Sequence, residues 1–299
     1  MSNHALGWNP ERAKAARQQM IASGRYCTVM PAAKADLPKA ISLSQYLLRE
    51  MEQGQAGTCW LHAAVCAAET LAKAKGYDAF PICRRLVGYV GKSLEGGGNP
   101  TNGGSVTDAF LAMTKEKGAG IAHEDLLPYS DDARALGTRP PKNVFDDGDK
   151  SHLVVPVDVR SDEDAMALIA SLCPVGIGTW WPYNFDDRKT FMSSIGSGTY
   201  GHALTKIGYV MPGVWPGEGG KVGWWQWRNW HGLLYPPLHS ELAALVPGYK
   251  SDTPEWTSDF WVPFTLDTRL QGMGNYEYVA ATDLDGIGKV VDWSYDTLA

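Results

Sequence analysis

Gln53-Gly54-Gln55-Ala56-Gly57-Thr58-Cys59-Trp60 runs directly into Leu61-His62-Ala63-Ala64-Val65-Cys66-Ala67-Ala68. The second block has the alanine-rich character of a helix, so Cys59 falls in a helix's first turn. There, unpaired backbone N–H groups and the positive end of the helix dipole favour the thiolate. Both draw the thiol pKa down from about 8.5 toward neutrality. Such a thiolate becomes a catalytic nucleophile once a histidine reaches it from elsewhere in the fold.

The chain around this block has 299 residues, 44% apolar and 20% charged, enough for a substantial core in one or two lobes. Twelve Trp, 13 Tyr, 33 Gly and 18 Pro favour turn-rich β structure and aromatic packing over long helical bundles. A net charge of −6 without a basic run argues against nucleic-acid binding. Five cysteines, at 27, 59, 66, 83 and 173, with no CxxC pair, do not form a disulfide framework or a zinc knuckle and suit a cytoplasmic or other reducing compartment. Neither a signal peptide nor a transmembrane stretch is recognisable, and no membrane insertion is expected.

Four regions follow from the patterning: an N-terminal arm over 1–40, a helical lobe over 41–140, a β lobe over 150–269 and a C-terminal tail over 270–299. The arm carries one helical stretch, Glu11 to Ile21. Helices are predicted over Leu43 to Met51, Cys59 to Lys75 (ended by Gly76) and Ser105 to Lys117 (ended by Gly118). The glycine-rich loop Gly96 to Gly104 has the character of a cleft lining. Strands are predicted over Leu153 to Val157, Val175 to Trp181, His202 to Val210 and Gly223 to Arg228, interrupted by a helix from Asp162 to Leu172. This order defines an α+β fold with its cleft between a helical and a β half.

The β half offers the remaining catalytic groups. His202 opens one strand as a candidate base, and Asn229 closes another as the group to orient it. Together these motifs resemble those of papain-like cysteine peptidases. Gln53 stands six residues before Cys59, where that family keeps its oxyanion-hole glutamine. Cys59-Trp60 matches its Cys-Trp, and Asn102-Gly103-Gly104 its substrate-pairing strip. Pro174 with Val175 to Trp181, His202-Ala203 with Gly208-Tyr209, and Asn229-x-x-Gly232 match its β-lobe motifs, and Gly120-Ile121 and Pro128-Tyr129 resemble a segment of its helical lobe. The matches come in family order over about residues 45 to 265, and 143 residues separate Cys59 from His202.

The resemblance implies a two-lobe papain-like fold with an antiparallel, barrel-like β lobe. It implies a thiol protease acting through a thioester, with Cys59, His202 and Asn229 as triad and Gln53 as oxyanion donor. Asn102, Gly103, Gly104, Trp60 and Ala203 are then the substrate-binding residues, the substrate is a peptide or protein, and no metal or organic cofactor is needed. His231 ranks second to His202 as base. Cys59, His62 and Cys66 share a helical face but lack a fourth zinc ligand, and Thr282 to Gly286 is a solvated turn rather than a calcium loop.

The chain also departs from the family pattern. Ala56 replaces a disulfide cysteine, and Trp230-His231 stand where Ser-Trp is usual, which shifts the indole that shields the His–Asn pair. The hairpin Pro212 to Gly220 is long, the arm is short for a full inhibitory propeptide, and the tail has no family counterpart. The altered turn, the tail and the aromatic stretch Trp256 to Trp261 motivate one rival: a structural protein of a larger assembly, such as a virus particle, built on this scaffold with weak or lost proteolysis. A Cys-His amidase of cell-wall peptides is the other.

Overall fold

In the computed structural model, the described residues are 7–22, 37–153, 156–182, 189–192, 199–232, 234–273 and 276–285. At its centre lies helix α2 (Cys59–Ala74), in which every residue except Lys73 is buried. Its alanines let neighbours approach from all sides, and Gly76, at φ +74°, ends it. Helix α1 (Pro10–Ala22) precedes it, and α3 (Arg84–Leu94) and α4 (Val106–Ala112) pack beside it. The sequence reading missed α3 because Gly88 and Gly91 lower helix propensity. Close packing requires Gly91: a Cβ there would lie 2.8 Å from the Trp60 ring.

Against α2 lies an antiparallel sheet. Its path is β3 (Val157–Asp158), β8 (Glu277–Ala280), β4 (Val175–Pro182), β5 (Thr199–Val210), β6 (Trp224–Arg228) and β7 (Asp259–Pro263), and β1 (Ala40–Ser42) also pairs with β5. A separate two-stranded ladder joins β2 (His152–Leu153) to β9 (Leu284–Asp285). Thr205 Oγ1 donates to Ala63 O at 2.9 Å, which fixes α2 on β5. Beyond the sheet, α5 (Asp162–Ala170) and α6 (Phe264–Gly272) supply Asp162 and Asp267 to the fully buried Lys206 of β5, 2.6 Å from Asp267. Arg228 of β6 is likewise buried, between Asp259 and Asp252.

Several expectations are corrected. Leu43 to Met51 is not an α-helix: β1 joins the sheet through Leu43 N–H to Ile207 O at 2.7 Å, and only Ser44–Tyr46 forms a 3₁₀ turn. Tertiary pairing overrides local propensity there. The helix from Ser105 stops at Ala112, where Ala119 N–H turns back to Ala112 O. Of Leu153 to Val157, the described part forms the separate strands β2 and β3, with 154–155 outside the described residues. Residues 277–280, read as tail, are the sheet strand β8 between β3 and β4, whereas 286–299 lie outside the described residues, as do 1–6 and 23–36 of the arm. In the aromatic stretch Trp256 to Trp261, Trp256 is 41% exposed but Phe260 and Trp261 are buried in β7.

Candidate active site

Cys59 is the first residue of α2, with Thr58 at the cap position. The Ala203 backbone N–H, on the strand that carries His202, is one of three backbone amides that favour its thiolate. His202 Nε2 lies 2.9 Å from Asn229 Oδ1, just beyond β6. Two contacts fix the Asn229 amide: Trp230 N–H donates to Oδ1 at 2.8 Å, and Nδ2 donates to the Tyr235 hydroxyl at 3.0 Å. Since an amide oxygen only accepts, the His202 proton on this side sits on Nε2. His202 and Asn229 are each 2% exposed, with the Trp181 ring edge-on to His202 at 4.8 Å. The Trp230 indole donates to Ala203 O at 2.9 Å, and His231 places its ring 5.1 Å from that of His202. The His202–Asn229 contact is therefore buried despite the altered turn.

Gln53 is buried, and its Nε2 donates to Ala56 O at 2.9 Å. A second N–H remains on that amide. The Gln53 backbone is held by Trp230 O and by the Tyr129 hydroxyl, which also meets Thr58 Oγ1. Asn102 pairs with Gly57 in a β-bridge, and Gly103 takes φ +76° to bring Gly104 forward. Trp60 is fully buried and supports Gly104 from beneath, since a Cβ on Gly104 would lie 2.7 Å from its ring. It packs as a pillar under Gly104. Ala203 contributes its backbone on both sides, to the thiol and to Trp230. His62 binds Thr58 O and Arg84 instead of joining Cys59 and Cys66, and no metal-binding group of acidic, histidine or cysteine side chains occurs among the described residues.

The thiol itself departs from expectation. Cys59 is fully buried, and burial pushes its pKa up to about 12, although the amides of Ala203, Trp60 and Cys59 pull it down. The cover is the chain's own arm. A Cβ on Gly7 would lie 2.4 Å from Cys59 Sγ, so only glycine fits there. Gly104 N–H donates to Gly7 O at 3.1 Å and Asn9 N–H donates to Gly104 O at 2.9 Å, forming a parallel bridge between Trp8 and Gly104. Arg12 and Arg17 of α1 then pair with Asp108 and Asp158, each at 2.6 Å. Between thiol and helix, the Trp8 indole enters a pocket beside Gly178 and Gly201 and donates to Glu277 at 2.8 Å. Sequence reading missed Gly7, Trp8, Gly178, Gly201 and Glu277, which lie far apart in the chain. Only Trp8, an indole in a polar arm, carried a local signal.

Comparison with solved structures finds the same architecture. Xylellain, a cysteine protease from Xylella fastidiosa, superposes with a TM-score of 0.68 at 17% identity, covering 93% of this chain and 96% of that one. The proform of the ragweed pollen cysteine protease Amb a 11 gives 0.62 at 15%, covering 92% and 76%. Bromelain from Ananas comosus, in complex with the E64 inhibitor, gives 0.58 at 18%, covering 82% and 99%. No family model and no curated protein matches the sequence. The chain has the papain-like cysteine protease fold, as its motifs imply.

Proposed function

We propose that this chain is a papain-like thiol protease that hydrolyses peptide bonds in peptide or protein substrates and that its own arm holds it latent. The observation that carries this is the Asn229-fixed His202 on the same strand as Ala203, whose backbone N–H pulls the Cys59 thiol pKa down. With Nε2 protonated toward Asn229, Nδ1 exchanges the proton with the thiol. Cys59 attacks the carbonyl as thiolate, His202 protonates the leaving amine, and water hydrolyses the thioester. The second N–H of Gln53 and the Cys59 N–H stabilise the oxyanion. An extended substrate takes the place of Gly7 to Asn9 along Gly104.

Burial of the thiol is the one observation that favours the non-proteolytic assembly reading. Reaction with a peptidyl-epoxide probe, mapped by mass spectrometry, separates the two. The expected result is labelling confined to Cys59, slow in the native chain, faster when the arm is weakened and abolished by His202→Ala. A weakened arm that leaves Cys59 inert would overturn the protease reading.

A further inference from the structure

His62, in the first turn of α2, is fully buried and stands outside the Cys59, His202 and Asn229 set. Its Nδ1 lies 2.9 Å from Thr58 O, and its Nε2 lies 3.0 Å from Arg84 Nη1. A carbonyl oxygen only accepts and a guanidinium only donates, so the ring is neutral, donating from Nδ1 and accepting at Nε2. Burial and then the charge of Arg84 hold its pKa down at about 3, in agreement with that form. Arg84 is itself fixed. Its Nε and Nη2 donate to Glu124 at 2.9 and 2.7 Å, its Nη1 also donates to Glu52 O at 3.3 Å, and its guanidinium lies 4.1 Å from the centre of the Tyr129 ring. The Tyr129 hydroxyl donates to Gln53 O at 2.9 Å and so accepts from Thr58 Oγ1 at 2.8 Å.

These three side chains grip both ends of one loop, Glu52 and Gln53 at its start and Thr58 at its close. The same ends carry the two oxyanion donors proposed above, the Gln53 amide and the Cys59 N–H. Thr58 C=O and Cys59 N–H belong to one planar trans peptide and point in opposite directions. Whatever fixes the oxygen therefore fixes the direction of the N–H. The backbone N–H groups of Leu61 and His62 already reach Thr58 O at 3.1 and 3.2 Å, so the carbonyl is satisfied without the imidazole. We propose that His62, kept in its Nδ1–H form by Arg84, is a positioning residue of the oxyanion site. Together with Tyr129 it aims the Cys59 N–H and the Gln53 amide at one point. This role rests on the protease reading, because only a developing oxyanion requires that aim.

Two reactions of the same sulfur separate positioning from a purely structural role. Hydrolysis of a peptide builds an oxyanion on a carbonyl, whereas opening of a peptidyl epoxide does not. On the full-length Trp8→Ala background, His62→Phe keeps a buried ring and loses both side-chain hydrogen bonds. It is expected to lower kcat at least tenfold, with KM and the rate of epoxide labelling of Cys59 within threefold of the background. A smaller fall in kcat, or a fall in labelling as large as that in kcat, overturns the proposed role while leaving the protease reading intact. Where His62→Phe does not fold, Tyr129→Phe, which loses only the hydroxyl, is held to the same criteria. Nitrogen-15 spectra of histidine-labelled protein read the ring independently of turnover: His62 is expected with Nδ1 protonated and Nε2 bare, and the opposite tautomer overturns the proposal. A background protein that neither labels at Cys59 nor cleaves peptides refutes the protease reading, and this role with it.

Discussion

Trp8→Ala provides the sharpest test of the latent state. The Trp8 side chain is only 3% exposed and donates one hydrogen bond to a carboxylate. Truncating a buried Trp to Ala costs about 3–5 kcal/mol. The variant keeps both backbone bonds to Gly104 and the Arg12–Asp108 and Arg17–Asp158 pairs, so the whole loss weakens arm docking and leaves the rest of the fold in place. If docking weakens by about 4 kcal/mol, the arm-open population rises roughly 10³-fold, since about 1.4 kcal/mol is a factor of ten. The observed labelling rate of Cys59 is the open fraction times the intrinsic rate, so it rises by the same factor until opening ceases to limit it. Pseudo-first-order labelling by a peptidyl epoxide at pH 6.5, followed by intact mass, measures it directly. A rise of less than about threefold, in a variant whose circular dichroism and melting are native, refutes the argument that this indole holds the thiol covered.

Other variants address the proposed catalytic pair and the core. Asn229→Ala releases the His202 ring and leaves the Tyr235 hydroxyl without its donor; a drop in kcat/KM of about 10² is expected for a misaimed base, measured on an arm-weakened background. Lys206→Met leaves Asp267 as a buried charge without its cation, so urea unfolding should show a loss of about 3–5 kcal/mol, largely recovered when Asp267→Leu is added. For Glu124, burial raises the carboxyl pKa, but hydrogen bonds from Arg84 and Arg49 outweigh it and hold the group at about 2. This depressed folded-state pKa contributes stability above the unfolded value near 4.5, which is lost as pH falls from there through 2. Neighbouring Glu69, held near 7 mainly by burial, is protonated in the folded state throughout this range and in the unfolded state once pH falls about a unit below 4.5, so it adds little slope there. Glu124→Gln should therefore flatten the stability profile from pH 4.5 to 2, where the native chain loses on the order of 3 kcal/mol from this group.

The architecture and the placement of Cys59, His202 and Asn229 were legible because their signals are local. Cys59-Trp60 at the head of an alanine-rich run, His202 inside a strand and Asn229 at the end of another each sit within a few residues of the pattern that reveals them. Elements defined by distant partners were not legible. Ala40–Ser42 becomes a strand only because β5 offers an edge, Glu277–Ala280 only because β3 and β4 flank it, and Arg84–Leu94 keeps two glycines because Trp60 and Leu61 press against them. Glu277 shows the limit most clearly. Nothing near it in sequence marks it, and its partners are Ser105, Val106 and Thr107 on one side and Trp8 on the other.

The contrary behaviour of Cys59 has the same origin, and magnitudes explain it. A helix N-terminus favours an anion by about 0.3–1 kcal/mol, rarely 2, which lowers a pKa by roughly one unit. Complete burial acts the other way by as much as 3–5 units. The local effect, the only one visible in residues 53 to 68, is the smaller, so the covered thiol is pushed up to about 12 even with three backbone amides directed at it. Those amides and the Asn229-fixed imidazole remain in place when the arm leaves, because none of them belongs to the arm. Departure of Gly7 removes the opposing effect alone. In the latent protease proposed above, access of water to this one sulfur atom, covered by the arm that the Trp8 indole anchors, divides the latent from the reactive state.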